Sequence, residues 1–329
     1  MQIIGCAAAS LLVHPDAGAR AALRKSHWQG EVMGAIASID LVSSDIARSD
    51  RLIADILREV RWLESLFSLH RPGAAIAALN GEGFLDDADE EFLDLLRFAR
   101  RVHETTAGAF DVSIQPLWRL YADHFSSPNA DPAGPGANLI ESAAQLVDGR
   151  AIGIADEQVR FARPGMSITL NGIAQGYISD RVAGRLKAAG VEHVLVDMGE
   201  IVAIGRDEDA RSWRIGLLDG RRPMEISEII ELEGMAVATS GGYGMSFDAE
   251  GRFHHLIDPR TARSAARNLA VTVTATSATL ADALSTGFSA MDETEIEATL
   301  RHHPGVGVHL TRLDGTVAIL GSFPKRHPA

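Results

Sequence analysis

The sequence predicts an α+β protein in which antiparallel sheets are interrupted by inserted helices. Strand-like segments between about residues 193 and 320 follow one another in runs instead of alternating with helices, which disfavours a doubly wound parallel sheet. Helical periodicity is confined to four segments placed between those runs. The composition, 46% hydrophobic and 23% charged over 329 residues, is that of an ordinary globular chain with a substantial core, which excludes wholesale disorder.

The chain opens with Met1–Gly18, an apolar, Ala-rich segment followed by small residues around Ala17–Ala21. Residues 1–29 are expected to be an export-signal remnant and linker. The basic region of such a signal is missing, so either its start lies upstream, in a twin-arginine setting, or Ile3-Ile4-Gly5-Cys6 is a lipobox with Cys6 acylated. A buried first strand or helix is the third reading. Met33–Val42 alternates loosely as a strand. Asp45–His70 carries Ile46, Ile53, Ile56, Val60, Leu63 and Phe67 at helical spacing, with Asp45 as N-cap and Arg71-Pro72-Gly73 as its stop. A second helix is expected over Asp89–Thr105 and a third over Ala174–Ala189, with an exposed Pro/Gly-rich connection at Ser126–Asn138 between them. Strands are then expected near His193–Met198, Val202–Gly205, Trp213–Leu218, Met224–Leu232, Ala236–Thr239 and Leu269–Thr276. A helix at Thr279–Met291 and strands near Val306–Thr311 and Thr316–Leu320 complete the chain.

Charge and absences narrow the function. With 31 basic and 44 acidic side chains the net charge is −13, which argues against a phosphate-tracking nucleic-acid surface but not against a small anionic ligand. A single cysteine excludes internal disulfides, Cys-rich zinc sites and iron–sulfur clusters. No run of 18 apolar residues exists, so there is no complete transmembrane helix. Dinucleotide-fold and P-loop signatures, the hydrolase elbow and His-Glu-x-x-His are all missing.

Four polar clusters remain. Gly108-Ala109-Phe110-Asp111 follows a helix and reads as a C-cap or as a site. Leu170–Tyr177, with Gly172 and Gly176, opens a helix and reads as an anion cradle or as tight helix packing. Ala238–Tyr243 with His254–Thr261 forms a glycine turn and a rigid Pro turn, in which one of the adjacent histidines can share a site with Asp258. Asp282 and Thr286, four residues apart in an apolar helix, stand on one face and offer hard oxygen donors suited to Mg²⁺, unless Thr286 bonds its own backbone.

Taken in order, these clusters resemble the motif series of the ApbE family of FAD:protein FMN transferases. The matching stretches are Met33-Gly34, His70-Arg71-Pro72 with Leu79-Asn80, Gly108–Asp111 with Pro116-Leu117, Gly172–Tyr177, Thr239–Tyr243, His255–Thr261 and Ala281–Thr286. The sequence departs from the family pattern at His70 (often Tyr), Thr169 (commonly Asp), Gln175 (Lys or Glu) and Ala262 (usually Gly). The resemblance implies a T-fold-related, two-lobed domain over residues 30–329, with a connection near 126–138. It implies Mg²⁺-dependent transfer of FMN from FAD to a Thr or Ser hydroxyl of an acceptor protein, a redox-complex subunit or flavin-binding domain protein, with release of AMP. It places Mg²⁺ on the Ala174 carbonyl, Asp282 and Thr286, and flavin contacts at Met33, His70, Ala109, Phe110, Asp111, Thr169 and Ile257. His255 becomes the base for the acceptor hydroxyl, a role suited to a pKa near neutrality. Rival readings are an FAD pyrophosphatase yielding FMN and AMP, and a non-catalytic periplasmic flavin-binding protein. The expected location is the periplasm or the outer face of the inner membrane, with peripheral membrane association.

Overall fold

The structure, a computed structural model, describes residues 23–329, so the expected export segment lies outside the described residues. The chain begins as a hairpin of β1 (Arg24–Val32) and β2 (Ala35–Ser43). Residues 24–29, expected as linker, are therefore part of the first strand, and Met33 lies in the turn rather than in the strand. Helices α1 (Ile46–Phe67) and α2 (Ala75–Glu82), strand β3 (Phe84–Leu85) and α3 (Glu90–Thr105) follow. Then come α4 (Gln115–Ser126), α5 (Ala137–Ala144), the short strands β4 (Ile152–Ala155) and β5 (Gln158–Phe161), and α6 (Ala174–Ala188). A run of strands comprises β6 (Val194–Asp197), β7 (Ile201–Ile204), β8 (Trp213–Asp219), β9 (Arg222–Leu232) and β10 (Met235–Gly241). The chain continues with β11 (Ile257–Asp258), β12 (Arg263–Ser264), β13 (Asn268–Ala275), α7 (Ala278–Phe288) and α8 (Glu293–Leu300), and closes with β14 (Gly307–Arg312), β15 (Val317–Gly321) and β16 (Arg326–Pro328).

Eight strands form one sheet in the order β1-β2-β6-β7-β10-β13-β14-β15, every neighbouring pair antiparallel. This is the α+β architecture that the runs of strands predict. Period-two alternation sends successive side chains to opposite faces. Ile39, Val194, Val196, Ala236 and Val273 join the core shared with α1, α3, α6 and α7. Their neighbours Leu195, Ile201, Ala203 and Val237 pack instead against Trp213, Ile215, Ile230 and Leu232 of the small sheet β16-β9-β8. The central strands of the large sheet thus form a middle layer, buried on both faces, while the edge strands β1 and β15 keep exposed residues. Each fully buried Leu or Ile in it contributes on the order of 2 kcal/mol.

Helix α1 forms where the periodicity predicts, with the Asp45 carboxylate accepting the Arg48 N–H at 2.9 Å, but it stops at Phe67. Ser68–His70 thereby become a connection, free to line a cleft. Helices α6 and α7 are the pair that builds the site. Asp180 of α6 caps α7, accepting from the Ala278 and Thr279 N–H groups at 2.8 and 2.9 Å and from the Ser277 and Thr279 hydroxyls. At their crossing a Cβ on Gly176 would stand 2.3 Å from the Ala278 carbonyl oxygen, so only glycine permits this approach. Gly176 therefore serves the tight-packing reading of its motif.

Candidate active site

The α6–α7 crossing carries the chemistry. Asp282, in the middle of α7 and only 3% exposed, accepts the Gly176 N–H at 3.0 Å, a bond that the absence of a side chain at Gly176 allows. One turn on, Thr286 stands beside Ser240 of β10, their hydroxyl oxygens 3.4 Å apart, and Ser240 also meets Ser285 at 2.8 Å. A Cβ on Gly172 would lie 2.8 Å from the Thr286 hydroxyl oxygen, so the turn before α6 lies directly on α7. The sharp turn at Gly199, where φ is +103°, brings Glu200 to the same place. Glu200 is 7% exposed and faces Asp282. Burial lifts the pKa of Asp282 above the ordinary carboxylate range, and Asp180 adds to it. Burial likewise lifts Glu200, and the neighbouring Asp282 and Asp197 raise it further. Asp197 itself is pushed up to about 6 by burial.

Gly172, Glu200, Ser240, Asp282 and Thr286 line an open cleft with about 1090 Å³ of unfilled space, counting the part that opens to solvent. Met33, His70, Thr169, His255, Asp282 and Thr286, all expected site residues, line it together. Met33 and Gly34 both take positive φ, +53° and +82°, as a tight hairpin turn matched to sheet twist requires. For methionine this conformation is strained, and the turn is held because Glu64 of α1 accepts the Met33 N–H at 2.9 Å. We expect Glu64→Ala to cost about 1 kcal/mol of stability, read as a lowered urea midpoint; an unchanged midpoint would show that the turn holds itself. Thr169 is fixed from two sides. Its N–H donates to the Val112 carbonyl at 2.8 Å, and Asn80 brackets the preceding Ile168 by bonding both its carbonyl and its N–H. The Leu79-Asn80 motif thus shapes the wall of the cleft.

His255 projects from the segment after the glycine turn. Its Nδ1 lies 3.1 Å from the Met245 carbonyl oxygen. A carbonyl can only accept, so Nδ1 carries the proton and Nε2 keeps a lone pair. The ring is partly exposed along the cleft, yet its surroundings are dense enough that desolvation pushes its pKa down to about 4. It is neutral at pH 7, with the near-neutral pKa that the base role suggested corrected downward by burial. The adjacent His254 turns the other way, packing on Gly242, and Asp258 is engaged by Arg260.

Four expected contacts do not line the cleft. Ala109 and Phe110 are buried, with the Phe110 N–H donating to the Thr106 hydroxyl at 3.1 Å and its Cβ set against Gly287 of α7. Asp111 accepts from the Ser113 N–H and hydroxyl with one oxygen and from the Gly149 N–H with the other, while His103 lies 3.3 Å away. Its carboxylate, held below the ordinary range by the His103 and Ser113 hydrogen bonds against the opposing effect of burial, knits two loops together behind the wall. Ile257 packs with Leu117, Tyr121 and Ala262. Ala174 is fully buried at the start of α6, beside the lining residues Gly172 and Gln175. Conversely, Glu200 and Trp118 line the cleft without having been singled out in the sequence. The short Asp197-Met198-Gly199-Glu200 turn after a buried strand was the available signal for the first.

The fold and the cleft define a class. The architecture is similar to that of the solved flavin transferase ApbE from Vibrio cholerae, with a TM-score of 0.79 and 28% identity over 92% of this chain and 99% of that one. It is also similar to the ApbE protein of Thermotoga maritima, with a TM-score of 0.78, 26% identity and coverage of 90% and 96%. In sequence, the chain is 31% identical over 300 residues to the FAD:protein FMN transferase of Vibrio cholerae, covering 87% of each. It is 28% identical over 311 residues to that of Treponema pallidum, covering 88% of this chain and 85% of the relative. Residues 33–310 match the ApbE family as a whole. The chain belongs to the ApbE family.

Proposed function

We propose that this protein is a transferase that moves FMN from FAD to a Thr or Ser hydroxyl of an acceptor protein and releases AMP. The observation that carries the reading is the meeting, in one cleft, of a neutral histidine with a hard-oxygen pair, in a chain similar to FAD:protein FMN transferases over most of its length. His255 Nε2 takes the proton of the acceptor hydroxyl as its oxygen forms a bond to the FMN phosphorus. The bond from that phosphorus to the bridging oxygen breaks, and the electron pair leaves with AMP. A small carboxylate–hydroxyl donor set suits a hard divalent cation that keeps several waters and binds substrate phosphates. Asp282 and Thr286, with the Ala174 carbonyl, would hold Mg²⁺, and the buried Asp282–Glu200 pair supports a cation by its mutual repulsion. When bound, the ion neutralises charge developing on the pyrophosphate oxygens. Met33, His70 and Thr169 orient the flavin end. The apolar, Ala-rich start of the chain supports work in the periplasm or at the outer face of the inner membrane. The reading is tested by incubating the protein with FAD and Mg²⁺ beside a candidate acceptor: AMP should form, and excess chelator should stop it. AMP release that ignores chelator would overturn the metal assignment.

A further inference from the structure

The catalytic groups account for the polar lining of the cleft and leave its apolar lining unexplained. Trp118 lines the cleft together with Leu69, Ile114, Met245 and Leu256. The other tryptophans are elsewhere: Trp213 is buried in the core, Trp62 is exposed on α1, and Trp28 lies on the outermost strand β1. Trp118 follows Pro116-Leu117 in the first turn of α4, and its indole is held in place by other rings. Phe247 meets it edge to face, with centroids 5.6 Å apart and planes at 78°. Phe247 in turn lies nearly parallel to Tyr121 at 6.2 Å and 10°. Tyr121 is 1% exposed, and its hydroxyl donates to the Ala262 carbonyl at 2.9 Å. A large flat side chain is therefore immobilised from behind while it borders open space in front. Buried aromatic residues normally complete a core, and a preorganised one at a cleft is a surface for another ring.

We propose that Trp118 is an aromatic platform on which a planar heteroaromatic ring of FAD stacks, a specificity-determining residue that selects dinucleotides over simple pyrophosphates. This rests on the FAD-transfer reading above. A dinucleotide presents a charged centre flanked by two flat rings. The same cleft offers hard oxygens and an apolar aromatic wall, which together suit a pyrophosphate that carries a flat ring. Stacking on an aromatic side chain is sequence-tolerant and contributes roughly 1–3 kcal/mol per base, which corresponds to about 5- to 150-fold in affinity.

The test compares wild type, Trp118→Phe and Trp118→Leu by calorimetric titration with FAD, FMN and AMP, and by flavin emission excited beyond tryptophan absorption. Trp118→Phe keeps a ring against Phe247 and guards against loss of fold. The platform predicts that Trp118→Leu weakens FAD binding by about ten-fold or more, with Trp118→Phe between it and wild type. If the isoalloxazine is the stacked ring, FMN emission is quenched on binding to wild type and retained in Trp118→Leu. If the adenine is stacked, AMP affinity drops and FMN is unaffected. FAD affinity equal within two-fold in all three proteins would overturn the platform and leave the transfer reading intact. A wild-type protein that does not bind FAD would overturn both.

Discussion

Replacing Asp282 by alanine is expected to lower AMP release from FAD by about a thousand-fold or more, because a bound divalent ion supplies several kcal/mol of transition-state stabilisation and each 1.4 kcal/mol is a factor of ten. The fold should survive the change. Asp282 sits against Gly176 on a helix whose cap is made by Asp180, several residues away, and its removal relieves the repulsion with Glu200. The thermal unfolding midpoint should therefore stay within a few degrees of wild type, which separates loss of chemistry from loss of structure. Full activity in the variant, or a collapse of the midpoint that accounts for the lost turnover, would contradict the role assigned to this carboxylate.

His255→Ala carries the second large effect. Removing a general base costs about 10²–10⁴ in rate. The loss should appear in saturated transfer, with FAD affinity nearly unchanged, because the proton moves only when the acceptor attacks. The pH profile gives an independent reading. Burial lowers the pKa of His255 to about 4, so its neutral form is lost only as pH falls through that value. Transfer by the parent should rise with pH through about 4 and be level across neutrality, and the variant should lack that limb. A histidine acting only through its bond to the Met245 carbonyl would show a different pattern, with weakened FAD binding or stability and normal saturated transfer.

The parts of this protein that could be read in its sequence are those where local pattern and tertiary environment agree. Helix α1 was legible because its buried residues recur on one stripe over six turns. Strand β1 was not, since RKSHWQGEV has few apolar residues and exists as a strand through its pairing with β2. Helix α2, rich in Ala and short, gives no periodic signal, and α5, only two turns long, starts inside the expected connection. The site divides the same way. Asp282 and Thr286 could be found because four-residue spacing on a helix fixes a shared face. The bonding of Asp111 is not legible in the same way, because its carboxylate accepts from Gly149, 38 positions away, and no local pattern distinguishes a carboxylate facing a ligand from one facing a backbone amide. Glu200 escapes sequence reading for a related reason: it reads as the end of a turn, and only the packing of α6 on both β7 and α7 makes it a neighbour of Asp282.

The most direct test of the central claim is the intact mass of a candidate acceptor protein after incubation with this protein, FAD and Mg²⁺, with AMP quantified in the same reaction. Transfer predicts an acceptor heavier by one FMN less water, the adduct mapping to a Thr or Ser and disappearing when that residue is replaced by Ala, with one AMP released for each adduct. AMP accompanied by free FMN, with the acceptor mass unchanged, would contradict transfer and identify water as the nucleophile.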